Sequence, residues 1–130
     1  MNLEEYHITK ASGSKYQIEL LAVFCGPDLS VTICGGTGYH VGAIALGCAR
    51  PIKEGRERSA TVSVICAYEH KDDEAARQSA KYLATTLKCR VSVAAGIHVD
   101  NASEDELDLL MKNSEDACRE LVRAVMDKSV

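Results

Sequence analysis

Leu29-Ser30-Val31-Thr32-Ile33-Cys34-Gly35-Gly36-Thr37-Gly38-Tyr39-His40-Val41-Gly42-Ala43-Ile44-Ala45-Leu46-Gly47-Cys48 is the stretch on which the fold turns. Leu29, Val31 and Ile33 alternate with Ser30, Thr32 and Cys34, the period of a strand with one buried face. Gly35, Gly36 and Gly38 break the alternation, and an apolar run resumes from Val41 to Cys48. Two strands joined by a glycine-rich connection are therefore expected. Upstream, Tyr16, Ile18, Leu20, Ala22 and Phe24 alternate with polar and apolar neighbours, and Gly26-Pro27-Asp28 supplies a turn. The three strands read as an antiparallel meander with a glycine hairpin between its second and third members.

Downstream, Arg50 to Ser59 is a basic, polar loop carrying Arg50, Lys53, Arg56 and Arg58. Thr61 to Tyr68 is a fourth strand. Asp72 or Asp73 caps a helix running to about Leu87, with Ala76, Ala80, Leu83 and Leu87 inward. Cys89 to His98 is a fifth strand. Ser103 and Glu106 form a capping box, and Leu107, Leu110, Met111, Cys118, Leu121, Val122 and Val125 make one stripe of the last helix. The expected fold is α+β, a mainly antiparallel five-stranded sheet in the order β-β-β-β-α-β-α with two helices packed on it. The 130 residues are read as one domain. Residues 1–14 and the last few are expected to be loosely held.

The net charge of −4 gives no broad basic footprint for nucleic acid. There is no apolar leader and no run long enough to span a membrane, so a cytoplasmic protein is expected. The six cysteines fall in strand and helix patterns with no C-x-x-C pair, and are read as buried free thiols without disulfides. Leu21 and Val23 point away from Leu20 and Ala22, so the second sheet face is partly apolar, and a homodimer or higher even oligomer is expected.

Strand directions gather the unusual residues. In this topology the second strand ends where the third begins, and the fourth and fifth end there too. Gly35, Gly36, Gly38, His40, His70, His98 and Asp100 therefore share one end of the sheet, and the basic loop lies at the other. The glycines serve either a tight turn or close backbone approach to an anion such as phosphate. The histidines are solvated strand ends, or they contact the polar edge of a heterocycle, or His40, His70 and His98 bind a metal.

The hairpin Gly35-Gly36-Thr37-Gly38-Tyr39-His40-Val41-Gly42-Ala43 and the stretch Ala95-Gly96-Ile97-His98-Val99-Asp100-Asn101 resemble the prenylated-flavin chaperone family, the LpdD-like proteins. Arg50-Pro51 and His70-Lys71-Asp72-Asp73-Glu74 fit the same pattern, and the resemblance spans roughly residues 28–101. It implies a proteasome-assembly-chaperone-like fold and a dimer. It also implies a non-catalytic protein that binds prenylated flavin mononucleotide (FMN) and passes it to a UbiD-type decarboxylase of the gallate kind, with the flavin prenyltransferase as a second partner. The cofactor-binding residues so implied are Gly35, Gly36, Gly38, Tyr39, His40, His98, Asp100 and Asn101. Two other classes compete. One is a small metal-dependent enzyme using the histidines around a bound water. The other is a pure protein-assembly chaperone.

Overall fold

The computed structural model describes residues 3–51, 59–67 and 72–128. Its elements are β1 (Glu4–Lys10), β2 (Ile18–Cys25), β3 (Asp28–Gly36), β4 (Ala43–Ala49), β5 (Ala60–Cys66), α1 (Asp72–Leu87), β6 (Arg90–His98) and α2 (Glu104–Lys128). They form one six-stranded sheet in the order β1-β2-β3-β6-β4-β5, with both helices on one face. β3 and β6 are parallel and every other neighbouring pair is antiparallel.

This corrects the expected five-stranded sheet, with its three-strand meander, in two respects. Residues 4–10 form an edge strand paired to β2, with Ile8 buried opposite Leu20. Their sequence, Glu-Glu-Tyr-His-Ile-Thr-Lys, buries only one side chain, so alternation is almost invisible in it. Second, β3 and β4 are not hairpin partners, because β6 lies between them. The β5–α1–β6 crossover steps past β4 to place β6 there, and α1 covers β4, β5 and β6. Periodicity specifies that a segment is a strand and says nothing of its neighbour. The directions inferred from the meander survive, because β6 still runs with β3 and β5.

The core lies between the sheet and the helices. Ile18, Leu20, Val31, Ile33, Val91 and Val93 face Leu83, Leu110, Ala117 and Leu121, all essentially inaccessible. α2 starts at the expected capping box: Ser103 Oγ accepts from Glu106 N–H at 3.2 Å, and Glu106 Oε1 accepts from Ser103 N–H at 3.1 Å. Lys15 at 2.7 Å, with the Ser103 amide and the Tyr16 hydroxyl, holds the Glu106 carboxyl down at about 2. α1 ends at Lys88, whose φ of 59° is a left-handed cap.

Alternation puts Leu21, Val23, Ile44, Leu46 and Ile65 on the sheet face that no helix covers. Cys34 and Cys48 alternate onto the same face. All six thiols are free. Only Cys118 is buried, which pushes its thiol up to about 11. The expectation of buried cysteines thus holds for Cys118 alone: Cys25, Cys34 and Cys48 alternate onto the uncovered face, Cys66 is exposed at the end of β5, and Cys89 packs half-buried against the core. No helix among the described residues is long and apolar enough to cross a membrane.

Candidate functional site

Since β6 separates β3 from β4, the chain from Thr37 to Gly42 must cross the end of β6. Its backbone makes the strap. Gly36 N–H donates to Gln17 O at 2.9 Å, Thr37 N–H and Gly38 N–H both donate to His98 O at 2.8 and 3.3 Å, and Gly42 N–H donates to Ala95 O at 2.8 Å. A side chain at Gly36 would put Cβ 2.1 Å from His98 O, and φ there is +74°. At Gly96 it would lie 1.6 Å from His40 O. These glycines let two backbones touch. The amides that sequence reasoning offered to an anion are already engaged with carbonyl oxygens.

Gly35, Gly36, Gly38, His40, His98 and Asp100 do gather at this end, with Gly36 opposite His98. Their side chains have different environments. His40 lies with Nδ1 3.1 Å from Gly38 O and Nε2 2.8 Å from Asp72 Oδ2. Both partners are acceptors, so the doubly protonated ring is the form that satisfies both bonds, and the setting favours it. The Gly38 carbonyl raises the His40 pKa, burial opposes it and the Asp72 carboxylate reinforces it. Asp72, the first residue of α1, is 5% exposed, and its Oδ1 accepts from Ile97 N–H at 2.9 Å. One carboxylate therefore ties strap, helix and β6 together. In sequence it reads only as a helix cap, because nothing there places His40 beside it.

His98 stands edge-on to His40, ring centroids 6.4 Å apart. Its Nε2 lies 2.8 Å from Asp100 Oδ1. That bond orients the imidazole and leaves Nδ1 without a hydrogen bond among the described residues. Asn101 is exposed with φ 52°, the left-handed turn conformation that asparagine tolerates well. His70 lies outside the described residues, as do Lys53, Arg56 and Arg58 of the basic loop. Among the described residues no group of three or more His, Cys, Asp or Glu side chains is arranged to hold a metal. Arg50 is at the opposite end of the sheet, its Nε donating to Thr61 Oγ1 at 2.9 Å.

Tyr39 and His98 line different hollows. Tyr39 folds over the open sheet face, and its hydroxyl donates to Glu19 Oε1 at 3.2 Å. Glu19 Oε2 pairs with His7 Nε2. Burial and the Glu19 carboxylate raise the Tyr39 phenol. A hollow of about 590 Å3 on that face is walled by Tyr39, Glu19 and His7 over Leu21, Thr32 and Cys34. A second, of about 570 Å3, adjoins it at Tyr39 and contains Lys15, Gln17, Gly36 and Thr37. His7 and Lys15 fall in β1 and the β1–β2 turn, which the sequence leaves as a loosely held terminus, and Glu19 reads only as the polar side of β2 because nothing in the sequence places Tyr39 and His7 beside it. His98 instead lines a cavity of about 470 Å3 between the helix starts, with Ile97, Val99, Leu107 and Met111.

Comparison with known proteins agrees with this architecture. One chain of a solved chaperone complex for yeast 20S proteasome assembly superposes with a TM-score of 0.59 at 13% identity, covering 92% of this chain and 96% of that one. Its likeness is one of fold. Protein LpdD of Lactiplantibacillus plantarum is 23% identical over 107 residues, 82% of this chain and 76% of the relative. The model of the prenylated flavin chaperone LpdD-like domain matches residues 12–126, most of the chain, from the β1–β2 turn to near the end of α2. This chain belongs to the LpdD-like prenylated flavin chaperone domain family.

Proposed function

We propose that this protein is a non-catalytic chaperone that holds prenylated FMN, or FMN, and delivers it to a UbiD-type aromatic acid decarboxylase. The observation that carries the reading is the pair of hollows meeting at Tyr39, in a chain of this family. Their chemistry is divided as a flavin nucleotide is. Lys15 gives one N–H to Glu106 and, as an ammonium, has two more for a phosphate. Glu106 and Tyr16 keep Lys15 firmly protonated. On the other side of Tyr39, Leu21 and the phenol offer apolar surface to a flat ring, and Glu19 is an acceptor for a ring imide N–H. In this arrangement the glycines shape the strap and do not cradle phosphate, and His98 lies across the strap from the ring.

The test is a fluorescence-quench titration with FMN and its prenylated form. Tyr39→Ala and Lys15→Ala are each expected to weaken binding by roughly fivefold to tenfold, the worth of one aromatic or charged contact. His98→Ala and Arg50→Ala are expected to stay within about twofold, well under the 1.4 kcal/mol of a tenfold change. Weakening by His98→Ala with Tyr39→Ala unchanged would put the ring on the helix side of the strap.

A labile ring on an open sheet face wants a cover, and the same face supplies one. Ile44, Leu46 and Ile65 are 48, 47 and 76% exposed on β4 and β5, two and three strands from β3. A second copy seated there forms a homodimer and leaves the β1–β3 half to the cargo. Light scattering is expected to give twice the 14.0 kDa chain mass. Leu46→Lys with Ile65→Lys is expected to return the monomer. A parent protein already monomeric at micromolar concentration refutes this arrangement.

A further inference from the structure

The cavity beside His98 continues between the helices. It shares Ala75 and Met111 with a second cavity of about 240 Å3, lined by Ser79, Ser114 and Cys118. The furrow exists because Ala75 and Ser79 of α1 face Ser114 of α2, and small side chains leave a gap that larger ones would close. Two features of it are unexplained by the fold. Ser114 is 2% exposed, and its Oγ has no hydrogen-bond partner. A buried hydroxyl left so is uncommon, and here it lines the furrow floor. The second feature is charge. Glu74, Glu104 and Asp108 stand at the His98 end, and among the described residues no lysine or arginine pairs with them. Among the described residues Glu74 accepts a hydrogen bond from the Gln78 amide, at 3.1 Å. Acids in a first helical turn favour the helix dipole, but that benefit fades beyond one turn and does not account for Asp108. Farther along, charge is balanced within α2, with Arg119 4.0 Å from Glu115 and 3.6 Å from Asp116.

We propose that the α1–α2 furrow is the docking site of a protein partner, receiving an amphipathic segment whose apolar side chains are flanked by Lys or Arg. The apolar floor of Ala75, Leu107, Leu110 and Met111 takes the hydrophobic side chains. The carboxylates, unpaired by lysine or arginine among the described residues, place the basic residues at the His98 end. The identity of the partner as the protein that receives the flavin rests on the delivery role proposed above. Docking then occurs on one side of the strap and cargo sits on the other.

The probe is a synthetic amphipathic leucine–lysine peptide, titrated into the full chain labelled for amide NMR. Saturable binding is expected, with shifts confined to residues around Ala75, Ser79, Met111 and Ser114. The same peptide with glutamate for lysine, and a lysine peptide without leucine, are expected not to bind there. Glu104→Lys with Asp108→Lys, both exposed positions, is expected to keep the fold by circular dichroism. It should weaken the leucine–lysine peptide roughly tenfold, the scale of two surface charge pairs made repulsive. FMN titration of that variant should be unchanged. Equal binding by the lysine-only peptide, shifts spread over the open sheet face, or an undiminished affinity in the variant would each overturn the docking site. Furrow-confined peptide binding in a protein that binds no flavin would sink the delivery reading and leave the docking site standing.

Discussion

Replacing Gly96 with alanine is expected to be the most damaging small change in the molecule. The added methyl would lie 1.6 Å from the His40 carbonyl oxygen, with the His40 carbonyl carbon at 2.3 Å. Both are backbone atoms, so no side chain can rotate away. Relief requires the strap to lift from β6, and lifting it also breaks the bonds that Thr37, Gly38 and Gly42 make to His98 and Ala95. The loss should be on the order of 3 kcal/mol, the upper range for overpacking. The melting temperature should fall by about 10 °C. Gly26→Ala is the comparison. Its φ is +63°, but nothing lies within 4 Å of the new methyl. Only the left-handed conformation is penalised there, at about 1–2 kcal/mol. Urea unfolding of the two variants separates steric from conformational cost. A Gly96→Ala protein within 1 kcal/mol of the parent, by the ordinary scale of surface changes, would mean that the strap is not pressed onto β6.

Asp72→Ala should come next. The substitution leaves the His40 ring without its carboxylate, 2.8 Å away, and the Ile97 amide without its acceptor, 2.9 Å away. Breaking a largely buried pair from one side costs about 3 kcal/mol, most of it from the groups left behind. Asp72→Asn keeps an acceptor for Ile97 and should lose less. The pair also sets a pH dependence. The folded pKa of His40 is raised above 6.5, so the native state binds the proton more tightly than the unfolded chain does. The stabilisation is complete below about pH 6.5 and is lost as pH rises through the folded value. Parent stability should therefore decline as pH rises from about 6.5, and the Asp72→Ala profile should be flatter. An imidazole titration followed by NMR, giving a His40 pKa at or below 6.5, would contradict the doubly bonded ring.

How far the site could be read beforehand differs residue by residue. The convergence of Gly36, His40 and His98 was legible, because it needs only the direction of each strand, and direction follows from counting turns and crossovers. What those residues do was not. The Gly36 and Gly38 amides look available in sequence and are bonded to Gln17 and His98 in the fold. His40 looks like a ligand contact and has both ring nitrogens engaged. His7 was hidden, since an edge strand with one buried side chain has almost no period to detect, and Lys15 and Glu19 gain their meaning only from neighbours distant in sequence.

By itself the sequence determined the α+β class, both helices with their caps, five of the strands to within a few residues, and the end of the sheet where glycine and histidine meet. Those are local matters of periodicity, turn chemistry and capping, decided within a dozen neighbouring residues. Only the tertiary structure decided that β6 enters between β3 and β4. A crossover helix can return its strand to more than one slot, and the choice is made by packing α1 across β4, β5 and β6 together. From that one insertion follow the strap, the glycines that let it lie on β6, the buried Asp72 that holds it, and the separation of the Tyr39 hollows from the furrow beside His98.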